Sequence, residues 1–151
     1  MPDSIREKIL QHIETTTLES ITVANGYAIN IGQVERGKVN PLKLERFPAV
    51  LIFPGEDEPE SLISDLTDRS WQILLFLWVL AQKDISKAME TFLAAVQKRM
   101  LVDHTRGGNA MDTAEGAVTP IRIEEVDLQG GWILNYSIRY RTKRGDPFTL
   151  G

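Results

Sequence analysis

Four groups of side chains are of a type that could do chemistry. His104 stands among Asp103, Asp112 and Glu115, which are ligand types for a divalent cation. Their spacing is irregular and the other histidine, His12, belongs to a distant segment, so the group reads as ordinary loop polarity. Gly107-Gly108 after Arg106 would cradle a phosphate if a helix began there. A helix ends there instead, where glycine serves as a cap. Glu124 and Glu125 offer paired carboxylates, but neighbours on a strand point to opposite faces, which separates them unless a bulge intervenes. Arg139, Arg141, Lys143 and Arg144 form the basic concentration of the chain, suited to an acidic protein surface, to DNA or simply to solvent. There is no cysteine and no serine in a Gly-x-Ser-x-Gly setting, so no nucleophile–base pair is legible. No catalytic residue, cofactor or metal is assigned, and the expectation is a protein that is not an enzyme.

The bulk properties narrow the class. With 151 residues the chain suffices for one domain, 1–151, with its own core. A net charge of −4 argues against a surface that wraps nucleic acid, and the lack of cysteine removes disulfides and thiolate metal sites. The charged N-terminal segment has no apolar stretch of the signal-peptide kind. The most apolar run, Ile73 to Ala81, is far short of the roughly 20 residues a membrane helix needs. The expectation is a soluble protein of a cytosol-like compartment with no membrane partner.

The elements follow from periodicity. Residues 4–20 read as a helix: Ser4 with Glu7 is a capping box, and Ile5, Ile9 and Ile13 form a stripe. Asn25-Gly26 breaks the chain, and Tyr27, Ile29 and Ile31 alternate as a half-buried strand. A loop is expected from Gly37 to Pro41. Ala49–Phe53, fenced by Pro48 and Pro54, suits a short strand, and the acidic stretch from Gly55 to Asp68 is expected to be a mobile loop. Trp71–Ala81 is expected to be a central strand with two apolar faces. One face lies under a helix that Asp84 caps and that runs to Met100 on a full apolar stripe. The other lies against the first helix or a second subunit. An irregular loop, Asp103-His-Thr-Arg-Gly-Gly-Asn-Ala110, runs on to Glu115-Gly116. Ile121 and Ile123 share one strand phase and Val126 and Leu128 the other, which places a bulge at Glu124-Glu125. Gly130-Gly131 then reads as the turn of a two-residue hairpin, followed by a strand alternating from Trp132 to Tyr140. The fold class is α+β: an antiparallel or mixed sheet of about five strands with two helices packed on it, in the order α-β-β-β-α-β-β. Exposing Leu74, Phe76, Trp78 and Leu80 would forfeit several kcal/mol at about 25 cal/mol per Å², so the surplus apolar strand surface points to association.

The succession of helix, glycine loop, hairpin and charged strand tail resembles the tail terminator, or tail-completion, proteins of long-tailed bacteriophages. The loop of that family often reads Asp-x-Thr-x-Gly-Gly-x-Ala, and Asp103, Thr105, Gly107, Gly108 and Ala110 match it; Arg106 departs from the apolar residue expected there. The resemblance implies a non-catalytic virion protein made in the bacterial cytoplasm. Such a protein closes into a ring, usually a hexamer, caps the tail tube to end its polymerisation and presents the surface that joins the head. Its implied partners are other copies of itself, the tail tube protein, head–tail connector proteins and, in passing, DNA in the lumen. Contact residues to a neighbour or the tube are expected among Glu56, Asp57, Glu58, Asp103, Arg106, Gly107, Gly108, Arg139, Arg141 and Arg144. A head–tail connector or neck subunit is the alternative within phage structure, and a small cytosolic enzyme of unknown chemistry the alternative outside it.

Overall fold

The computed structural model describes residues 2–37, 43–81, 83–122 and 129–151. Helix α1 (Ile5–Gln11) starts where the Ser4 hydroxyl accepts from the Glu7 amide, and continues as a π-helical segment, His12–Leu18. A short 3₁₀ turn, Val23–Asn25, ends at Gly26 with φ +90°. Strands β1 (Gln33–Arg36), β2 (Ala49–Ile63) and β3 (Leu66–Leu80) precede helix α2 (Ile85–Met100). Strands β4 (Asp112–Arg122), β5 (Gln129–Lys143) and β6 (Asp146–Leu150) follow it. One sheet runs β1-β2-β3-β5-β4, with β6 paired to the end of β5; β1 lies parallel to β2 and the other pairs are antiparallel. This is the expected α+β class with β3 at the centre of a mixed sheet.

Both helical elements cover the same face. Ile5, Ile9, Ile13 and Leu18 join Met89, Phe92, Val96 and Met100 over Trp71, Ile73, Leu75 and Leu77 of β3 and Leu134, Tyr136 and Ile138 of β5. The stripe predicted for α2 is the stripe it buries, and Asp84 caps it by accepting from the Lys87 amide. The first helix therefore does not cover the second face of β3. A smaller cluster does so in part: Leu44, Ala49, Leu51 and Trp78, with Phe47, Phe53, Phe76 and Ile121 half-buried against it.

Several local expectations are corrected. Tyr27 to Ile31 forms no strand: the ladder with β2 begins only after Gly32, whose amide donates to the Pro48 carbonyl, and Ile31 bonds to Ile21 instead. Tyr27, Ile29 and Ile31 still pack on the core, so the alternation reports burial without a strand partner. The stretch from Gly55 to Asp68 is no loop. Strand β2 passes through Pro54 and Pro59 by shifts of register at Pro54/Asp57 and Pro59/Ser61, and turns at Ser64-Asp65 into β3. Proline is tolerated in a strand at such irregularities and along an edge, and β1 covers β2 only over Ala49–Ile52. Strand β4 begins at Asp112, so the irregular loop ends before Glu115-Gly116, and the register of β4 against β5 shifts between Glu115 and Val118. Gly130-Gly131 is no turn: Gly131 lies in the ladder between Trp78 and Ile121. A Cβ on Gly131 would stand 1.9 Å from the Leu77 carbonyl oxygen, so close approach of β3 and β5 explains the glycine. The bulge placed at Glu124-Glu125 and most of the loop from Gly37 to Pro41 lie outside the described residues. No helix among the described residues is long and apolar enough to cross a membrane.

Candidate functional site

The glycine loop is built by one carboxylate. Asp103 accepts from the Thr105 amide (3.0 Å), the Thr105 hydroxyl (2.6 Å) and the Gly107 amide (2.9 Å). These bonds hold its carboxyl down at about 2, with the Thr105 hydroxyl the largest cause. Arg106, Gly107 and Gly108 take φ of +52°, +69° and +86°, a left-handed run that two glycines make affordable. The same geometry turns the Arg106 side chain inward to 0% exposure. It donates to the Met100 carbonyl and, at 3.3 Å, to the Thr17 hydroxyl, while its Nε has no partner. Burial pulls its pKa down to about 10.

His12 closes the junction. Its Nε2 stands 3.4 Å from Asp103 and its Nδ1 3.4 Å from the Thr17 hydroxyl. Burial, seconded by Arg106, lowers its pKa, and Asp103 opposes that. Arg99 adds bonds to the Thr17 and Thr16 carbonyls (3.3 and 2.9 Å), so two arginines satisfy groups at the end of the π-helical segment. Asp103 and Arg106 thus fasten the loop to the first helix. The Arg106 side chain is spent inside its own chain and leaves no surface exposed. The Gly107 and Gly108 backbones are exposed, but their amides are already bonded to Asp103 and Thr105, which leaves no phosphate cradle. His104 pairs with Asp112 at 3.2 Å in the open.

Several of the charged residues expected at a contact pair within one chain, where the β2–β3 hairpin lies against β5. On one face of the sheet Arg139 pairs with Glu60 (2.9 Å) and Arg141 with Asp68 (2.5 and 2.9 Å). On the helix-covered face Asp57, with its side chain 8% exposed, bonds Arg69 (2.8 Å) and the Tyr140 hydroxyl and stands 3.6 Å from Arg6. The Arg6 guanidinium lies 4.1 Å over the Trp71 ring. Burial, and then the bond to Asp57, push the Tyr140 hydroxyl well above its ordinary range. Glu56 and Glu58 have no cation partner among the described residues, and Glu56 beside it pushes the Glu58 carboxyl up. Arg144 is exposed, anchored only through its amide on the Asp65 carbonyl.

Apolar surface is left on the outer sheet face and at the hairpin tip, among other places. Phe53, Leu74, Phe76 and Ile133 are half-buried on the sheet face away from the helices, where Phe53 meets Phe76 edge-on at 4.9 Å. At the hairpin tip Leu62 and Ile63 are 60% and 58% exposed. Sequence reasoning missed this pair because Pro59 and the acids before it masked the strand. The available signal was Leu62-Ile63 and Leu66-Thr67 flanking Ser64-Asp65, two short apolar runs around a turn. No family model and no curated protein matches the chain.

Proposed function

We propose that the protein is an assembly subunit of the tail-terminator kind. Copies close into a ring, a hexamer by the resemblance, which caps the last ring of a phage tail tube and offers the joining surface to the head. It works in the virion without catalysis or cofactor.

The observation that carries this reading is the β2–β3 hairpin. Exposure rises along β2 from buried Ala49–Ile52 to an arm whose tip shows Leu62 and Ile63 to solvent. Exposed aliphatic pairs at the end of a stiff arm suit docking into another surface. Glu56 and Glu58, further back along the arm and without a cation partner among the described residues, supply a charge that a specific contact can read. The polar cleft under α1 supports the same direction. Asp57, Arg6, Arg69 and Tyr140 satisfy one another there and present no unpaired acid, base or nucleophile to a substrate.

Mixing with tail tube protein tests it. Electron microscopy should show tubes shortened in proportion to added protein, with a ring at one end. Tubes that grow unchanged and uncapped overturn the reading, and binding to tail-less capsids with none to tubes assigns a neck subunit instead.

A further inference from the structure

Four polar groups line up between the glycine loop and the first helix. Asp103 Oδ2 stands 3.4 Å from His12 Nε2, and His12 Nδ1 stands 3.4 Å from the Thr17 hydroxyl, to which Arg106 Nη1 donates at 3.3 Å. The π-helical segment makes the alignment possible. It begins at His12, and its i→i+5 spacing brings Thr17 beneath the ring, where an α-helix would place Thr15 or Thr16. One donor order fits all four groups: Arg106 donates to Thr17, Thr17 donates to His12 Nδ1, and His12 Nε2–H donates to Asp103. That order requires a neutral His12. We propose that this relay is a proton-sensitive clasp, which holds the loop on the first helix while His12 is neutral and releases it when His12 is protonated, opening the buried Arg106 to water.

The two ends of the relay fix its order, because a guanidinium only donates and an ionised carboxylate only accepts. A second proton on His12 turns Nδ1 into a donor aimed at a hydroxyl that already receives one from Arg106, and the Thr17 proton loses its acceptor. The same proton adds a cation where cations already outnumber anions: Arg106 of the loop and Arg99 of α2 face the ring against Asp103 alone. On its own element Lys8 lies one turn back and is exposed. The ring is 12% exposed, so water relieves little of the added charge. Attraction to Asp103 opposes release, but burial together with Arg106 outweighs it and holds the imidazole below its ordinary 6.5. A histidine depressed in this way contributes stability above pH 6.5 that is lost as pH falls through its folded value.

The clasp is local. Among the described residues, the polar side-chain ties of the loop to the first helix are His12 to Asp103 and Arg106 to Thr17. Gly107 backs onto the ring, where a Cβ would stand 3.1 Å from His12 Cδ2. Arg99 holds α2 to the Thr16 and Thr17 carbonyls without the loop, and the three bonds of Asp103 to Thr105 and Gly107 stay within it. Release therefore moves the loop as a unit and leaves the helices on the sheet. The device works in a single copy and needs neither ring nor tube.

NMR of the isotope-labelled protein tests it. The His12 ring nitrogens should show the Nε2–H tautomer at neutral pH and a titration midpoint below 6.5. Protection of the Arg106 Nε–H against hydrogen exchange should fall about tenfold from pH 7 to pH 5, a range over which Asp103 stays ionised. His12→Gln, whose amide still donates to Asp103, should abolish that fall, and His104→Gln should leave it unchanged. Arg106→Met, which removes one of the two facing cations, should raise the His12 midpoint. A midpoint at or above 6.5, an Nδ1–H tautomer, or protection that stays constant over the range overturns the proposal. So does a fall that survives in His12→Gln or disappears in His104→Gln. The first two measurements use the parent protein, so they decide even where a variant fails to fold.

Discussion

Gly131→Ala is the sharpest test of the sheet. The added Cβ would stand 1.9 Å from the Leu77 carbonyl oxygen and 3.4 Å from the Trp78 Cα. A carbon needs roughly 3 Å or more from a carbonyl oxygen, so β3 and β5 must part by about 1 Å against a normal strand spacing of about 4.8 Å. Strand β3 cannot retreat, since β2 holds it on the other side from Ala49 to Ile63. The separation stretches two or three ladder bonds worth about 1 kcal/mol each and loosens the packing around them. The expected loss is about 3–4 kcal/mol, a large part of the roughly 5–15 kcal/mol that holds a domain together. Urea unfolding followed by tryptophan fluorescence and by circular dichroism measures it. Gly108→Ala is the control: its Cβ meets nothing within 4 Å, so only the +86° φ is penalised, at about 1 kcal/mol. If Gly131→Ala costs no more than the control, the close approach of β3 and β5 is wrong.

Asp57→Ala should cost about 2–3 kcal/mol, because it strips Arg69, Tyr140 and Arg6 of their shared acceptor; Glu60→Ala, which breaks an exposed pair, should cost less than about 1 kcal/mol in the same denaturant titration. Asp103 has a folded-state pKa of about 2 against an ordinary 3.8, so its contribution is complete above about pH 5 and lost as pH falls towards 2. With 41% of that side chain exposed, solvent screening trims the contribution to about 1 kcal/mol, and Asp103→Asn should flatten the acid side of the melting-temperature profile by that amount. Arg106→Met should change stability by less than about 1–2 kcal/mol, since relief from burying a charge offsets two lost hydrogen bonds. Arg106→Lys keeps the charge without the planar fork and should be clearly worse in thermal melts.

Elements governed by local periodicity were legible. The stripe from Ile85 to Met100 and the alternation from Trp132 to Tyr140 each declare a buried face within one segment, and both fold as expected. The hairpin was not legible, because what makes it possible is distant in sequence. Arg139 lies 79 residues from Glu60, and Arg141 lies 73 from Asp68. Read locally, the acids only repel and the prolines only interrupt. Gly130-Gly131 misled for a related reason: a glycine pair fits a turn as readily as a place where two backbones press together, and only the strand partner decides. The loop carried a partial signal. Asp103, Thr105 and the glycines form a recognisable spacing, but the inward turn of Arg106 depends on Thr17 and the Met100 carbonyl, contacts that no local pattern announces.

The prolines of β2 bear on how far association can run. A strand edge with an unbroken row of amide donors templates another strand, and that strand templates a third, so growth has no natural stop. Beyond Phe53 the outer edge of β2 lies past the reach of β1, yet Pro54 and Pro59 leave gaps in its donors and the register shifts bend it. Backbone templating is therefore blocked along the exposed arm. What the arm still offers is a side-chain contact at its tip, which is used up once made. A protein proposed to end a polymer would gain from that difference, because strand-on-strand growth along the arm then has nowhere to start.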